Sequence, residues 1–533
     1  MTPRRGTVRP ADPCVLNDVH LDGRTLYEHA AELLGPRSRG PIPHGGEPLP
    51  DEPPPDPARI RWAGGASDGL MAVRGGRSDD NAPLAAAAAV LDHTRSAATP
   101  AGLRSVAEAV AQVSGPQAMD RFVNAVVAGK VGTGGWARGL ARWLCMQGVR
   151  REQVKAGLAL LGVVGCEEDA AVITHLGRLE ELTLYAAVAL KNLLAEPDKA
   201  LLDLADQVTG WGRIHCVHRL SQSTDPDVQR WLLHGGYDNG VMVEEIAYIA
   251  ATTGRLRYAL ETDQSDALLD HAGALLAALA IGGPAEDMKD YPDGGPALDT
   301  YLNRMRLAPA SLTRLRHLRT LDGYLSQWSD DNPHLHESDR RRLRSAIADV
   351  LARPEWRAVA EEALHGSDLQ QVEYAITLVR QYGIDPIPIV RQWLLIFPHD
   401  GYLWQTLLLA ADDVSEIRRL VSQAREVLPF SAVPVGPSNG LGLGPEYEST
   451  RCLELILQRL RDFPGEGEAA IQLGLRSAVV RCRNMALRAV AAWPTASRPD
   501  ELVRAVQAMA WNDPAAGVKK LARRVDSGLP AEP

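Results

Sequence analysis

The sequence predicts an all-α fold, an α-solenoid of stacked helical hairpins, and three observations carry that expectation. Amphipathic stretches of about 10–17 residues follow one another, separated by short polar or glycine breaks. Strand signals are scarce, and the Asn239-Gly240 pair leads into a helical pattern, Val243–Ala250, rather than into a hairpin. The apolar content is mostly Leu, Ala and Val, with only 4 Phe among 533 residues, which suits close helix–helix packing better than an aromatic-filled sandwich. At 45% hydrophobic residues the chain has enough apolar surface to bury a core.

Residues 1–83 read as an N-terminal arm. It holds a short amphipathic helix, Thr25–Leu34, with Leu26, Ala30, Leu33 and Leu34 on one face. Prolines at 36, 41, 43, 48, 50, 53, 54, 55 and 57 then exclude a helix or interior strand and predict an extended linker. Ile60–Arg77, glycine-rich with a Trp, is expected to fold back onto the body. Helical repeats follow over 84–281 and 296–428, with C-terminal repeats over 446–527 and a tail at 528–533. Two long breaks interrupt them, an acidic turn-rich loop at 282–295 and a Pro/Gly-rich loop at 429–445. Loops of that length inside repeats often carry function.

The helices expected with the clearest limits are Asp169–Leu176, Glu180–Leu194, Asp198–Val208, Trp211–Leu220 and Val228–Leu233, the last with Asp225 as N-cap and Pro226 in the first turn. The rhythm returns at Glu355–Leu364, Leu369–Gln381, Pro388–Ile396, Tyr402–Ala410 and Val414–Val427. It closes with Ser449–Arg461, Ala469–Leu475, Ala478–Ala492, Asp500–Ala510 and Ala515–Val525. A hairpin of two such helices cannot cover its own apolar stripe, so neighbouring hairpins must do so. In 478–492, Val480, Ala486, Leu487 and Val490 point to a core while Arg481, Arg483 and Arg488 are expected to face water. This segment resembles the HEAT-repeat family, whose second helix often carries a Val-Arg pair followed by Ala and Leu. Here Val480-Arg481 and Ala486-Leu487 carry the likeness, with echoes at 185–194 and 371–383. An α/α toroid and an irregular helical assembly are the alternative architectures.

The net charge of −10 and pI near 5.8 exclude an overall basic field. Six scattered cysteines with no C-x-x-C pair point to reduced thiols. Arg4-Arg5 is followed by polar residues, Pro10 and Pro13, not by the apolar run of a signal peptide. The most apolar stretch, Leu268–Ile281, falls short of the roughly 20 residues a bilayer crossing needs. A cytoplasmic protein without a membrane span is expected.

Candidate chemistry is thin. His215 and His218, around Cys216, share a helix face and are candidate metal ligands, as are His334 and His336 beside Glu337, Asp330 and Asp331. Incidental histidines on a packed helix and a solvated cap explain both pairs as well, so no metal site and no cofactor are assigned. Asp287, Asp290 and Asp293 lack the spacing of a calcium loop. Gly129–Gly135 and Gly440–Gly444 lack the phosphate-loop pattern. The paired acids Glu167-Glu168, Glu180-Glu181, Glu244-Glu245 and Glu361-Glu362 read as solvent-facing charge. A basic tract, with Arg304, Arg306, Arg314, Arg316, Arg319, Arg340 and Arg341, is the candidate binding surface. Trp231, Trp328, Trp356, Trp393 and Trp404 are interface candidates expected mostly in the core.

The function expected from these readings is a non-enzymatic scaffold of HEAT-like character that binds an unidentified protein partner. Two alternatives stand beside it: an enzyme with its site at 282–295 or 429–445, and a nucleic-acid binder using the basic 304–344 region.

Overall fold

Helices start where the sequence supplies caps. The Thr25 hydroxyl accepts from Glu28 N while the Glu28 carboxylate accepts from Thr25 N, a reciprocal box that fixes the first helix at Leu26. Ser265, Asp368, Asp400 and Asp413 cap more simply, their side chains accepting from first-turn backbone N–H groups, and Asp225 does so ahead of Pro226. The computed structural model describes residues 19–35, 40–74, 81–95, 99–128, 136–327, 332–428 and 430–531. Cys14, Arg4-Arg5, the Gly129–Gly135 glycines, Trp328, Asp330 and Asp331 lie outside them. The described residues are all-helical, with two isolated β-bridges, Val435 to Ser477 and Gly440 to Val479, as their only pairing of extended chain.

The chain divides into two units. The first takes the described residues of Met1–Pro53, Trp62–Pro309 and Thr313–Ala352; the second takes those of Pro54–Arg61, Ala310–Leu312 and Arg353–Pro533. The division falls near residue 352, and the 282–295 and 429–445 loops are each internal to one unit.

Unit 1 runs α1 (Leu26–Leu34), α2 (Ala66–Arg74), α3 (Ala82–Arg95), α4 (Pro100–Val110), α5 (Pro116–Ala128) and α6 (Trp136–Gln147). It continues with α7 (Arg151–Val164), α8 (Ala170–Gly177), α9 (Glu180–Leu193), α10 (Asp198–Ala205), α11 (Gly210–Leu220) and α12 (Pro226–Trp231). The rest are α13 (Ala247–Thr253), α14 (Leu256–Thr262), α15 (Asp266–Ile281), α16 (Gly294–Met305), α17 (Leu312–Gln327) and α18 (Glu337–Leu351). Many helices pack on a chain neighbour and on the next but one: α7 on α6 and α9, α9 on α8 and α11, α16 on α15 and α18.

Unit 2 holds α19 (Glu355–Leu364), α20 (Leu369–Val379), α21 (Ile387–Ile396), α22 (Gly401–Ala410) and α23 (Val414–Val427). It ends with α24 (Glu448–Leu460), α25 (Glu468–Leu475), α26 (Val480–Ala492), α27 (Asp500–Asn512) and α28 (Ala516–Asp526). Here too alternate helices lie against one another, α22 on α24, α24 on α26 and α26 on α28. The stripes they share are Leu403, Leu407, Leu453, Leu457, Ala486 and Leu487, all at or below 1% exposed. A side chain so buried contributes about 1.5–3 kcal/mol over its exposed state, which is why no hairpin here is left without a neighbour.

Two expectations are corrected. The proline-rich stretch is not a free linker where it is described. Ile42 and Leu49 are buried on either side of the 3-10 turn Pro43–Gly46, which packs against α9. Arg483 does not face water; it is fully buried against Asp513.

Candidate functional site

Arg151, Lys155, Glu180, Glu181 and His215 stand on the N-terminal halves of the alternate helices α7, α9 and α11, and the chain's own arm lies across them. The arm enters through Pro43–Gly46 against α9 and leaves through α2, which packs on α9 and α11. Asp51 accepts from Arg151 N at 2.8 Å and from its guanidinium at 3.1 Å, and Glu52 accepts from the same guanidinium. Lys155, 2% exposed, is ringed by Asp68 at 2.8 Å, Glu181 at 2.6 Å and Glu152 at 3.5 Å. Burial of this crowd raises Glu152 to about 7, with Asp68 and Glu181 adding to the rise and Lys155 opposing it.

The helices also read the arm's main chain. Glu181 accepts from Gly65 N at 2.9 Å, and His215 Nε2 lies 3.1 Å from Gly65 O. A carbonyl can only accept, so Nε2 of His215 carries the proton. Burial drives His215 down to about 4, so the ring is neutral at pH 7. The fit leaves no room for side chains at two points. Gly46 sits at φ +91° with its missing Cβ only 2.4 Å from Leu179 Cδ2, and Gly65 sits at φ +74° with its own 2.7 Å from Glu180 O.

In unit 2 the face shared by α22, α24 and α26 is open. His399, Asp400 and Gly401 at the start of α22, Glu448, Arg451, Glu454, Leu455 and Gln458 of α24, and Arg481 and Met485 of α26 line a groove of about 540 Å³. It runs on, through the shared Gln405, Leu455 and Gln458, into a further 230 Å³ between Leu408, Leu409 and Arg459. Glu454 is buried and holds the Arg481 guanidinium at 2.5 Å, while burial raises its carboxyl above the usual range. Arg451 donates to Gly444 O at 2.8 Å. Both arginines keep a large part of their surface in water, 53% for Arg481 and 40% for Arg451.

The metal candidates are not brought together. His215 is spent on Gly65 O, His218 is half-buried and lowered by desolvation, and His334 and His336 are exposed in a separate turn. Among the described residues no group of three His, Cys, Asp or Glu is placed to hold a metal ion.

The basic tract is largely committed. Arg314, 4% exposed, pairs with Asp270 at 2.5 Å and with Asp266 at 3.3 Å, so its guanidinium is covered by its own unit although both acids stay partly in water. Arg304 donates to Asp263 O and Ser265 O at the end of α14. Arg306 pairs with Asp349, Arg319 with Asp322, and Arg340 and Arg341 with Glu337. Arg316 is half-buried.

Each of the two loops packs in part on its own unit, and Tyr291, Pro292 and Asp293 of 282–295 also line a cavity of about 420 Å³. In 282–295, Met288 and Tyr291 are buried. In 429–445, Arg483 donates to Ser438 O, Ser477 O and Ala478 O at 2.8–2.9 Å, and Val480 N donates to Gly440 O at 3.0 Å. Of the tryptophans, Trp356 and Trp404 are fully buried, Trp231 and Trp393 half-buried, and Trp511, not singled out in the sequence, is 74% exposed.

The acids at 180, 181 and 245 were expected in solvent and are largely buried. The face itself has no local signal: its members come from three helices, and only their place on alternate helices that pack side by side unites them.

No family model matches the chain, and no curated protein matches it. Among solved structures, the chain is similar to one described as the crystal structure of an engineered protein from the Northeast Structural Genomics Consortium. The two are 17% identical with a TM-score of 0.22, over 84% of this chain and 98% of that one, a likeness too slight to carry an argument. No helix among the described residues is long and apolar enough to cross a membrane.

Proposed function

We propose that the chain is a non-enzymatic protein-interaction scaffold, a solenoid of HEAT-like helical repeats working in the cytoplasm, and that unit 2 takes its protein partner in the groove across α22, α24 and α26. The open groove of about 540 Å³ is the observation that carries this reading. Its floor mixes two exposed arginines, carboxylates, two glutamines and the apolar Leu455 and Met485, the composition of a surface that holds a polypeptide rather than of a small reactive pocket. The serial packing of alternate helices supports the repeat architecture. In the basic tract Arg314 is 4% exposed beside Asp270, while Arg306 and Arg341 stay at the surface next to Asp349 and Glu337.

The test is affinity capture with the full chain and with Leu455→Arg, which fills the groove floor without touching the arginines. A partner recovered with the parent and lost with Leu455→Arg supports the reading. A partner recovered equally with both contradicts it.

A further inference from the structure

Past α12 the helical path widens into a π turn, Leu232–Gly236, in which Gly235 bends the chain at φ +111°. A tight loop follows, closed by Asn239, whose Oδ1 accepts from Val241 N at 2.9 Å and Met242 N at 2.7 Å. Single π turns recur at functional positions in helices. This one brings two imidazoles together. The rings of His234, exposed in the turn, and His271, on α15, stand 5.7 Å apart and nearly edge to face. His271 Nδ1 also lies 2.9 Å from the hydroxyl of Tyr237, a residue only 6% exposed.

The turn packs on α12, α13 and α15. From α15 come Asp266 and Asp270, both held by Arg314 of α17, which also carries the buried His317. From α12 come Asp227 and Arg230, paired with each other in solvent, and α13 brings no charged residue. Asp238 follows Tyr237 in the loop. Asp263, before α15, accepts from Ser265 N, and Glu244 and Glu245 stand on the short turn packed on α13 and α15.

We propose that His234, His271 and Tyr237 form an acid-operated latch: the Tyr237–His271 bond closes residues 232–242 while both rings are neutral, and protonation of the rings opens them. A neutral imidazole can accept the tyrosine's proton at Nδ1, whereas a charged one carries N–H on both nitrogens and only donates. The buried hydroxyl then loses its acceptor just as two like charges meet. Burial, with His234 beside it, holds His271 below its ordinary 6.5, and Asp270 and Asp238 oppose that shift. The closed turn is therefore fully favoured above pH 6.5 and loosens as the pH falls through the lower folded-state value.

The latch bears on the seat of the arm. Gly210 N donates to Asn239 O at 2.8 Å and Arg213 donates to Asp238 O at 2.6 Å, so the loop holds the first turn of α11. Thr209, the N-cap of that helix, donates to Glu180, and its His215 meets Gly65 O. None of this depends on unit 2 taking a partner.

Hydrogen exchange of the full chain at pH 7.5 and at pH 5, each corrected for the intrinsic rate, tests the latch. The expected result is an increase of about tenfold or more in the opening of residues 232–242 and of Gly210 at the lower pH, with α6 unchanged. His271→Asn sets an amide oxygen near the place of Nδ1 and carries no charge, and His234→Asn removes the charge of its exposed neighbour. The step should shrink in His234→Asn and vanish in the double variant. Should His271→Asn unfold, the parent decides the matter with His234→Asn: the nuclear magnetic resonance titration of the His271 ring must share its midpoint with the opening. No step in the parent, a step undiminished in His234→Asn, or an opening midpoint apart from that of His271 overturns the proposal.

Discussion

Arg483 of α26 and Asp513, just past the end of α27, form an ion pair with both side chains out of water. Arg483 falls on the polar side of its helix by sequence alone, yet it is buried, because Asp513, 30 residues on, returns beside it and three loop carbonyls take its remaining protons. Removing one partner of such a pair strands the other in an apolar interior, which costs about 3–5 kcal/mol. Asp513→Ala is therefore expected to lower the stability of unit 2 by that amount in urea denaturation, and a loss under 1 kcal/mol would contradict the role given to the pair. His215 offers a pH test. Its folded-state value of about 4 lies below the ordinary 6.5, so its contribution is complete above pH 6.5 and is lost as the pH falls through 4. Glu152 runs the other way: raised from 4.5 to about 7, it contributes fully below 4.5 and loses that contribution as the pH rises through 7. His215→Gln, which keeps a donor for Gly65 O, should flatten the fall in stability between pH 6.5 and 4 by up to roughly 3 kcal/mol. An unchanged slope would show that the buried ring is not the titrating group.

At the scale of elements, the sequence was legible wherever caps and apolar spacing agree. Val414–Val427 and Glu355–Leu364 stand at the limits expected, and the Asp225-Pro226 start holds. The expected 198–208 helix stops at Ala205, where Asp206 and Gln207 take up the turn before α11. The arm was not legible, since a run of prolines hides the two residues, Ile42 and Leu49, that anchor it, and its polar anchors are met by helices far along the chain. The ion cluster and the glycine contacts predict how it detaches. Gly46→Ala adds a methyl 2.4 Å from Leu179 Cδ2 at a φ of +91°, so amide exchange over residues 42–52 should accelerate at least tenfold while α24 and α26 stay unchanged. Lys155→Met leaves three carboxylates without their shared cation and should cost unit 1 several kcal/mol at pH 8, and less at pH 5, where Glu152 is protonated. Equal costs at the two pH values would sink that account of the cluster.

Over the whole molecule, an all-α architecture follows from a Leu/Ala-rich chain whose helices each lack cover and find it in the next. That much was visible in the periodicity. The face that matters was not, because a groove is a property of three helices in register, and only the shared position of Arg151 and Glu180, or of Arg451 and Arg481, in successive helices betrays it. The most direct measurement is capture of a protein partner by the full chain, set beside the Leu455→Arg variant of the groove in unit 2. The account predicts a partner held by the parent chain and lost from the variant. Equal recovery with both would contradict it.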